Sequence, residues 1–191
     1  MKKILTALFL VLSLLTYSQI ADKAENISPL LIGEQIPNIV VYDVLGKPIQ
    51  TKTIFDKKTV LVVYRGGWCP YCNAQLADLQ ELESDILALG YQIVAISPDA
   101  PRFLQQTVED EKLNYTLYSD SKGDFSQAVG IAFAKSKGKL DKYSEGQNPG
   151  FLPVPTVYIL DSNSEIQFLY INPNYTKRLD GKVLLAVLKS L

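Results

Sequence analysis

Two apolar runs separated by an amphipathic stretch dominate the centre of the chain. Thr59 to Tyr64, TVLVVY, is almost continuously apolar, the pattern of a strand buried on both faces of a sheet. Tyr91 to Ser97, YQIVAIS, has the same character. Between them Cys72, Leu76, Leu79, Leu82 and Ile86 recur every three or four positions, with Gln75, Asp78, Gln80, Glu81, Glu83 and Asp85 elsewhere. This spacing predicts one helix opening at Cys69 or Pro70 and stopped by Gly90. A strand, helix and strand joined so closely predict a parallel βαβ unit.

The flanking segments are read the same way. Asn38 to Val44 predicts a first strand, closed by the turn LGKP. Pro101 is a natural first helical residue for a segment running to about Lys112. TLYSD predicts a short strand and DFSQAVGI a short helix, whereas Lys135 to Leu152, rich in Lys, Gly, Ser and Asn, predicts an exposed loop. PTVYILD, the turn SNS and EIQFLYI predict a hairpin. A last helix, LDGKVLLAVLKSL, puts Leu179, Val183, Leu184, Val187, Leu188 and Leu191 on one face. No repeat or second domain is visible, and a central mixed β-sheet flanked by helices, an α/β fold, accommodates this order.

The first residues change the picture of where the protein works. Lys2 and Lys3, an apolar run from Ile4 to Leu15 and small residues at Thr16 and Ser18 predict a secretory leader over residues 1–18, too short in its apolar part for a membrane span. The expected product is an exported, periplasmic or secreted domain of residues 19–191, held at the membrane only if the leader stays uncleaved. Of 19 basic residues two leave with the leader, so 17 remain against 20 acidic ones, a net charge of −3. A weakly acidic chain without a basic cluster lacks the electrostatic footprint for nucleic acid.

Composition narrows the chemistry further. There is no histidine, and the only methionine is Met1. Histidine zinc sites, Ser-His-Asp and Cys-His catalysis, and clusters on four thiolates lack their parts, so no metal site is expected.

What remains is the pair of cysteines in YRGGWCPYC. Cys69 and Cys72 sit where a strand gives way to a helix, and the unpaired N–H groups there favour a thiolate by about 0.3–1 kcal/mol. The first helical turn holds no acid, and Arg65 stands just before the motif. Cys69 is therefore the candidate nucleophile. Cys72, on the apolar stripe, is the more buried thiol with the higher pKa. Trp68 is placed to shield the pair or contact substrate, and Pro70 sets the first turn without losing a needed donor. Two other readings stay open on these residues. A structural disulfide closing so small a ring gains only about 2 kcal/mol, and metal capture by two thiolates would lack any histidine.

WCPYC between a hydrophobic strand and a helix, with VPT at Val154 to Thr156, resembles a thioredoxin-fold active site. YRGGWCPYCNAQL, YQIVAISPD, LPVPTVYILD and INPNYTKRLD together resemble the peroxiredoxin-like branch of the alkyl hydroperoxide reductase/thiol-specific antioxidant (AhpC/TSA) family, over roughly residues 30–188. The resemblance implies a thioredoxin-like fold, Cys69 as nucleophile, Cys72 as resolving thiol, and Val154 and a cis Pro155 as a backbone platform for substrate. It implies a hydroperoxide or a protein disulfide as substrate, an external dithiol such as a thioredoxin-like protein as reductant, and no cofactor beyond a redox-active Cys69–Cys72 disulfide. Three features depart from the family. The proline seven residues before the reactive cysteine is Val62, and the Thr or Ser three before it is Gly66. The segment GIAFAKSKGK also lacks the expected distant arginine.

Overall fold

A computed structural model describes residues 20–136 and 138–191. The predicted leader lies outside the described residues. The chain first forms β1 (Val40–Tyr42) and β2 (Pro48–Gln50), then α1 (Thr51–Ile54), β3 (Thr59–Val63), α2 (Pro70–Glu81), α3 (Glu83–Ala88) and β4 (Gln92–Ser97). It continues through α4 (Pro101–Glu111), β5 (Thr116–Ser119), α5 (Asp124–Ala128), β6 (Ala132–Ala134) and α6 (Gly138–Tyr143). β7 (Phe151–Pro153), β8 (Thr156–Leu160), β9 (Ile166–Ile171) and α7 (Gly181–Leu188) complete it.

Seven strands form one mixed sheet in the order β2-β1-β5-β4-β3-β8-β9, while β6 and β7 pair separately. β3 lies at its heart, parallel to β4 with Val60 opposite Ile93, and antiparallel to β8 with Val60 opposite Ile159. All five of its residues are buried, as its continuous apolar run requires. Alternate side chains serve two cores. Val60 and Val62 face Leu76, Leu79, Ile86, Leu104 and Leu184 from the helices on one side. Leu61 and Val63 pack with Phe55, Phe125 and Val129 on the other. This is the thioredoxin-like α/β arrangement, with β3 feeding directly into α2.

Three expectations need correction. The single helix to Gly90 is two, α2 and α3, meeting at Leu82 (φ −94°, ψ −1°), whose N–H is shared between the carbonyls of Asp78 and Gln80. Its side chain packs where Gly181 begins α7, so closely that a Cβ on that glycine would lie 2.4 Å from Cδ1 of Leu82. Docking of α7 therefore accompanies the break. The strand expected over residues 38–44 shortens to β1, because Asp43 turns the chain: its Oδ1 accepts from the N–H groups of Leu45 and Lys47. The expected loop over residues 135–152 contains α6 and ends in β7, which pairs with β6 through Phe133 opposite Leu152. Strands of three residues carry too little alternation to be read, and α6 buries only Leu140.

The apolar stripe gives a direct test of this packing. Leu76 is fully buried beneath the motif, and its carbonyl accepts from the hydroxyl of Tyr115 at 2.8 Å; Leu87 is 54 % exposed. Leu76→Ala should cost about 2–5 kcal/mol in urea unfolding, and Leu87→Ala no more than about 0.5 kcal/mol. Equal losses would contradict this division of the helical faces.

Candidate active site

The site begins where β3 ends. Tyr64 keeps strand geometry, its N–H donating to the carbonyl of Ile96 at 3.0 Å. Arg65, Gly66 and Gly67 then turn the chain into α2. Gly66 has φ +134°, accessible without strain only to glycine. A Cβ there would also lie 2.4 Å from Nε1 of Trp68 and 2.6 Å from Oδ1 of Asp99. The N–H of Gly67 donates to Oδ2 of Asp99 at 2.7 Å, and its carbonyl accepts from Nδ2 of Asn73 at 2.9 Å. The glycine pair is thus pinned between β4 and α2, which aims the start of the helix.

Cys69 is the residue that caps α2, and Pro70 is its first helical residue. The Cys69 carbonyl accepts from the N–H groups of Cys72 at 2.9 Å and Asn73 at 3.1 Å. Both cysteines are free thiols, 2 % and 0 % exposed. Their environments divide them. The Cys72 thiol donates to the Cys69 sulfur, and this, with the Cys72 backbone N–H and the charges of Arg65 and Arg178, outweighs burial and brings the Cys69 pKa down to about 6. Burial pushes Cys72 well above the ordinary thiol range, and its hydrogen bond and proximity to the Cys69 thiolate add to this. At pH 7 roughly nine-tenths of Cys69 is then thiolate, and Cys72 keeps its proton. The pair holds one nucleophile and one proton donor in contact.

Two aromatic layers cover the motif. The Arg65 guanidinium lies 4.1 Å from the Tyr175 ring centre and 5.2 Å from that of Trp68. Tyr71, half-exposed between the two cysteines, meets Tyr175 edge-on at 5.9 Å. Trp68 is half-buried, its ring 6.4 Å from Tyr143 of α6. So the segment expected as an exposed loop supplies part of the wall around the site.

The structure brings Arg65, Trp68, Cys69 and Cys72 together, and treats Val154 and Pro155 differently. Val154 is wholly buried. Its N–H donates to the Ile131 carbonyl at 2.9 Å, and its carbonyl accepts from the Thr156 hydroxyl at 2.8 Å. The Pro155 carbonyl accepts, at 3.5 Å, from the N–H of Asn172. Among the described residues no peptide bond is cis, so the expectation of a cis Pro155 is corrected: the chain runs from β7 into β8 through the intrinsically preferred trans bond. Pro155 does share with Arg65, Phe133, Pro173 and Tyr175 a cavity of about 310 Å³.

Sequence reasoning missed two side chains. Arg178, in the loop before α7, donates from Nη2 to the Cys72 sulfur at 3.2 Å. It is 106 residues away in sequence, so no local pattern links them. One signal was available: a cation just ahead of a helix start, here two residues before the Asp180 cap, opposes the helix dipole and needs another reason to be there. Asp99 is 1 % exposed. Burial chiefly raises its pKa to about 7, helped by the Cys69 charge and opposed by hydrogen bonds, foremost that from Gly67. Among the described residues no three Cys, Asp or Glu side chains converge to hold a metal ion, and no helix is long and apolar enough to cross a membrane.

Comparison with known proteins agrees with this architecture. The AhpC/TSA family model matches residues 32–169, and the chain belongs to that family. It is 31 % identical over 104 residues to the bcp protein of Haemophilus influenzae, covering 54 % of this chain and 67 % of that one. It is 24 % identical over 136 residues to the thiol-disulfide oxidoreductase ResA of Bacillus thuringiensis, covering 71 % and 66 %. Among solved structures, the reduced Prx3 of Vibrio vulnificus in complex with hydrogen peroxide superposes with a TM-score of 0.72 at 18 % identity, over 83 % of this chain and 99 % of that one. The peroxidoxin BcpB of Mycobacterium tuberculosis gives 0.69 at 18 % identity, over 84 % and 97 %. These likenesses define a thioredoxin-fold oxidoreductase of the peroxiredoxin and thiol-disulfide type.

Two pH-dependent outcomes follow from the electrostatics. Alkylation of the reduced protein by iodoacetamide should rise with an apparent pKa of about 6 at Cys69, with Cys72 unmodified at neutral pH when peptides are mapped by mass spectrometry. The pKa of Asp99 is raised above its unfolded value, so its contribution to stability is fully present below about pH 4 and lost as pH rises through about 7. Urea unfolding at pH 5 and pH 8 should therefore show wild type losing about 2–3 kcal/mol relative to Asp99→Asn between the two. A constant difference between the two proteins would contradict that burial.

Proposed function

We propose that this protein is an exported peroxiredoxin-like thiol peroxidase that works through a Cys69–Cys72 dithiol/disulfide cycle. The Cys69 thiolate attacks the terminal oxygen of a hydroperoxide, forming the S–O bond as the O–O bond breaks, and the alcohol or water leaves. Cys72 then attacks the Cys69 sulfenic acid, an S–S bond forms, and the hydroxyl departs as water with the Cys72 proton. An external dithiol, such as a thioredoxin-like protein, restores both thiols by exchange. The two sulfurs are the whole redox centre in this reading, with no other cofactor. The leader-like residues 1–18 support a periplasmic or secreted location.

The observation that carries the reading is the division of the two thiols, a low-pKa Cys69 at the start of α2 against a protonated, buried Cys72. Two further facts favour a small oxidant over a polypeptide disulfide. Cys69 is only 2 % exposed, and the backbone groups of Val154 and Pro155 that would align a substrate chain are occupied internally. Arg65 and Trp68 are then the wall past which the peroxide reaches the sulfur.

A second reading is thiol–disulfide exchange, in which Cys69 attacks a substrate disulfide and Cys72 releases it. The glycine at position 66 favours it, because no hydroxyl stands there to polarise a peroxide, as does the similarity to a thiol-disulfide oxidoreductase.

Stopped-flow oxidation of the reduced protein by hydrogen peroxide, read by Trp68 fluorescence, separates the readings. The peroxidase should react about 100-fold or more faster than a free thiol of matched pKa. Cys69→Ser should abolish the reaction, and Cys72→Ser should stop at a sulfenic acid that dimedone traps. A wild-type rate equal to the free thiol would point to disulfide exchange. Serine variants that both lose stability alone, with reactivity intact, would leave a structural bridge.

A further inference from the structure

Two arginines stand over the motif, and they are used differently. Arg65 stacks on Tyr175 and Trp68. Arg178 instead reaches the sulfur of Cys72, at 3.2 Å from Nη2. Its other amino group, Nη1, is fixed by donation to the carbonyls of Tyr175 and Lys177, so the guanidinium is held from behind as it meets the sulfur. The loop that carries it is ordered by its own side chains. Oδ1 of Asn172 accepts from the N–H of Asn174 at 2.9 Å, and Oδ1 of Asn174 accepts from the N–H and hydroxyl of Thr176 at 3.1 and 2.8 Å. Asp180 then caps α7, and Leu184 and Leu188 of that helix are buried in the core that contains both cysteines. Arg178 is thus delivered by a hydrogen-bonded loop, docked through α7, that lies beyond residues 32–169, the span of the family match.

Cys72 needs such a partner. It is fully buried, and a thiolate there has no water to solvate it. The groups acting on it are Cys69 across the motif, Tyr64 from β3, the backbone N–H of Arg65 and the guanidinium of Arg178. Cys69 as thiolate opposes a second negative charge, while buried Tyr64 stays a neutral phenol. Arg178 supplies the positive one.

We propose that Arg178 is the catalytic partner of the resolving thiol, its guanidinium stabilising the Cys72 thiolate as that sulfur closes the disulfide on Cys69. The proposal rests on the reading that Cys69 attacks first and Cys72 resolves, and it holds for a sulfenic acid or a mixed disulfide on Cys69. In closure the Cys72–Cys69 S–S bond forms and the bond from Cys69 to its hydroxyl or leaving sulfur breaks. The Cys72 proton leaves with that group, as water or as a thiol. Cys72 is oxidised, and Cys69 returns from the sulfenic to the disulfide level or exchanges one disulfide for another.

The test uses 5,5′-dithiobis(2-nitrobenzoate) on the reduced protein, because each sulfur then reports separately. Attack by Cys69 releases the first thionitrobenzoate, and closure by Cys72 releases the second. In Arg178→Gln the first release should slow no more than about threefold, while the second slows about tenfold and its pH profile moves up by about one unit. Arg178→Lys, which keeps the charge but loses the fork, should recover part of the second rate and should stay folded if the glutamine variant does not. A second release that is unchanged in rate and pH profile in both variants overturns the proposal. If Cys69→Ser still gives a fast first release, it is the order of attack that fails. Arg178 is then judged by Cys72 alone: a slower Cys72 release when Arg178→Gln is added supports it, and an equal one overturns it.

Discussion

The site depends on one junction, the passage of β3 into α2 through Arg65, Gly66 and Gly67. β3 is buried on both faces and paired on both edges, so its end is fixed in all directions. The N–H of Gly67 is tied to Asp99 at the end of β4, and its carbonyl to Asn73 one turn into the helix. No side chain fits at Gly66, and a Cβ at Gly67 would lie 2.2 Å from the hydroxyl of Thr107 on α4. Four elements therefore set the direction in which α2 begins, and with it the place of Cys69.

From that constraint the chemistry divides between two sulfurs of the same kind. They are three residues apart and in hydrogen-bond contact, yet one ionises near pH 6 and the other stays protonated well beyond neutrality. Chain position makes the difference. Cys69 stands at the start of α2, where it receives hydrogen bonds from the thiol and backbone N–H of Cys72, whereas Cys72 is inside the turn, facing Leu76 and the sheet. The Cys72 proton then stabilises the Cys69 charge, so each thiol maintains the state of the other. Asp99 beneath them adds a carboxyl whose own ionisation is suppressed by the same burial.

The covering layer is built from distant parts of the chain. Tyr175 lies between Arg65 and Tyr71, and Tyr143 faces Trp68. Both tyrosines belong to segments without strong apolar periodicity, and neither was legible as part of a site. Cys69, inside the motif they flank, is 2 % exposed.

The sequence by itself determined the elements whose patterns are local. The runs at Thr59 and Tyr91 and the stripe from Cys72 to Ile86 specify strands and a helix through side-chain period alone, and CPYC after a buried strand places one thiol at a helix start and the other inside it. It also held the motifs that resemble the family. Tertiary structure alone decided the rest. Leu82 breaks the long helix where α7 packs on it, β6 and β7 are strands because each finds the other, and Val154 and Pro155 lost their free backbone groups to Ile131, Thr156 and Asn172. Arg178 reaches Cys72 across 106 residues. These are consequences of contact between segments far apart in the chain, and period, propensity and spacing describe only neighbours.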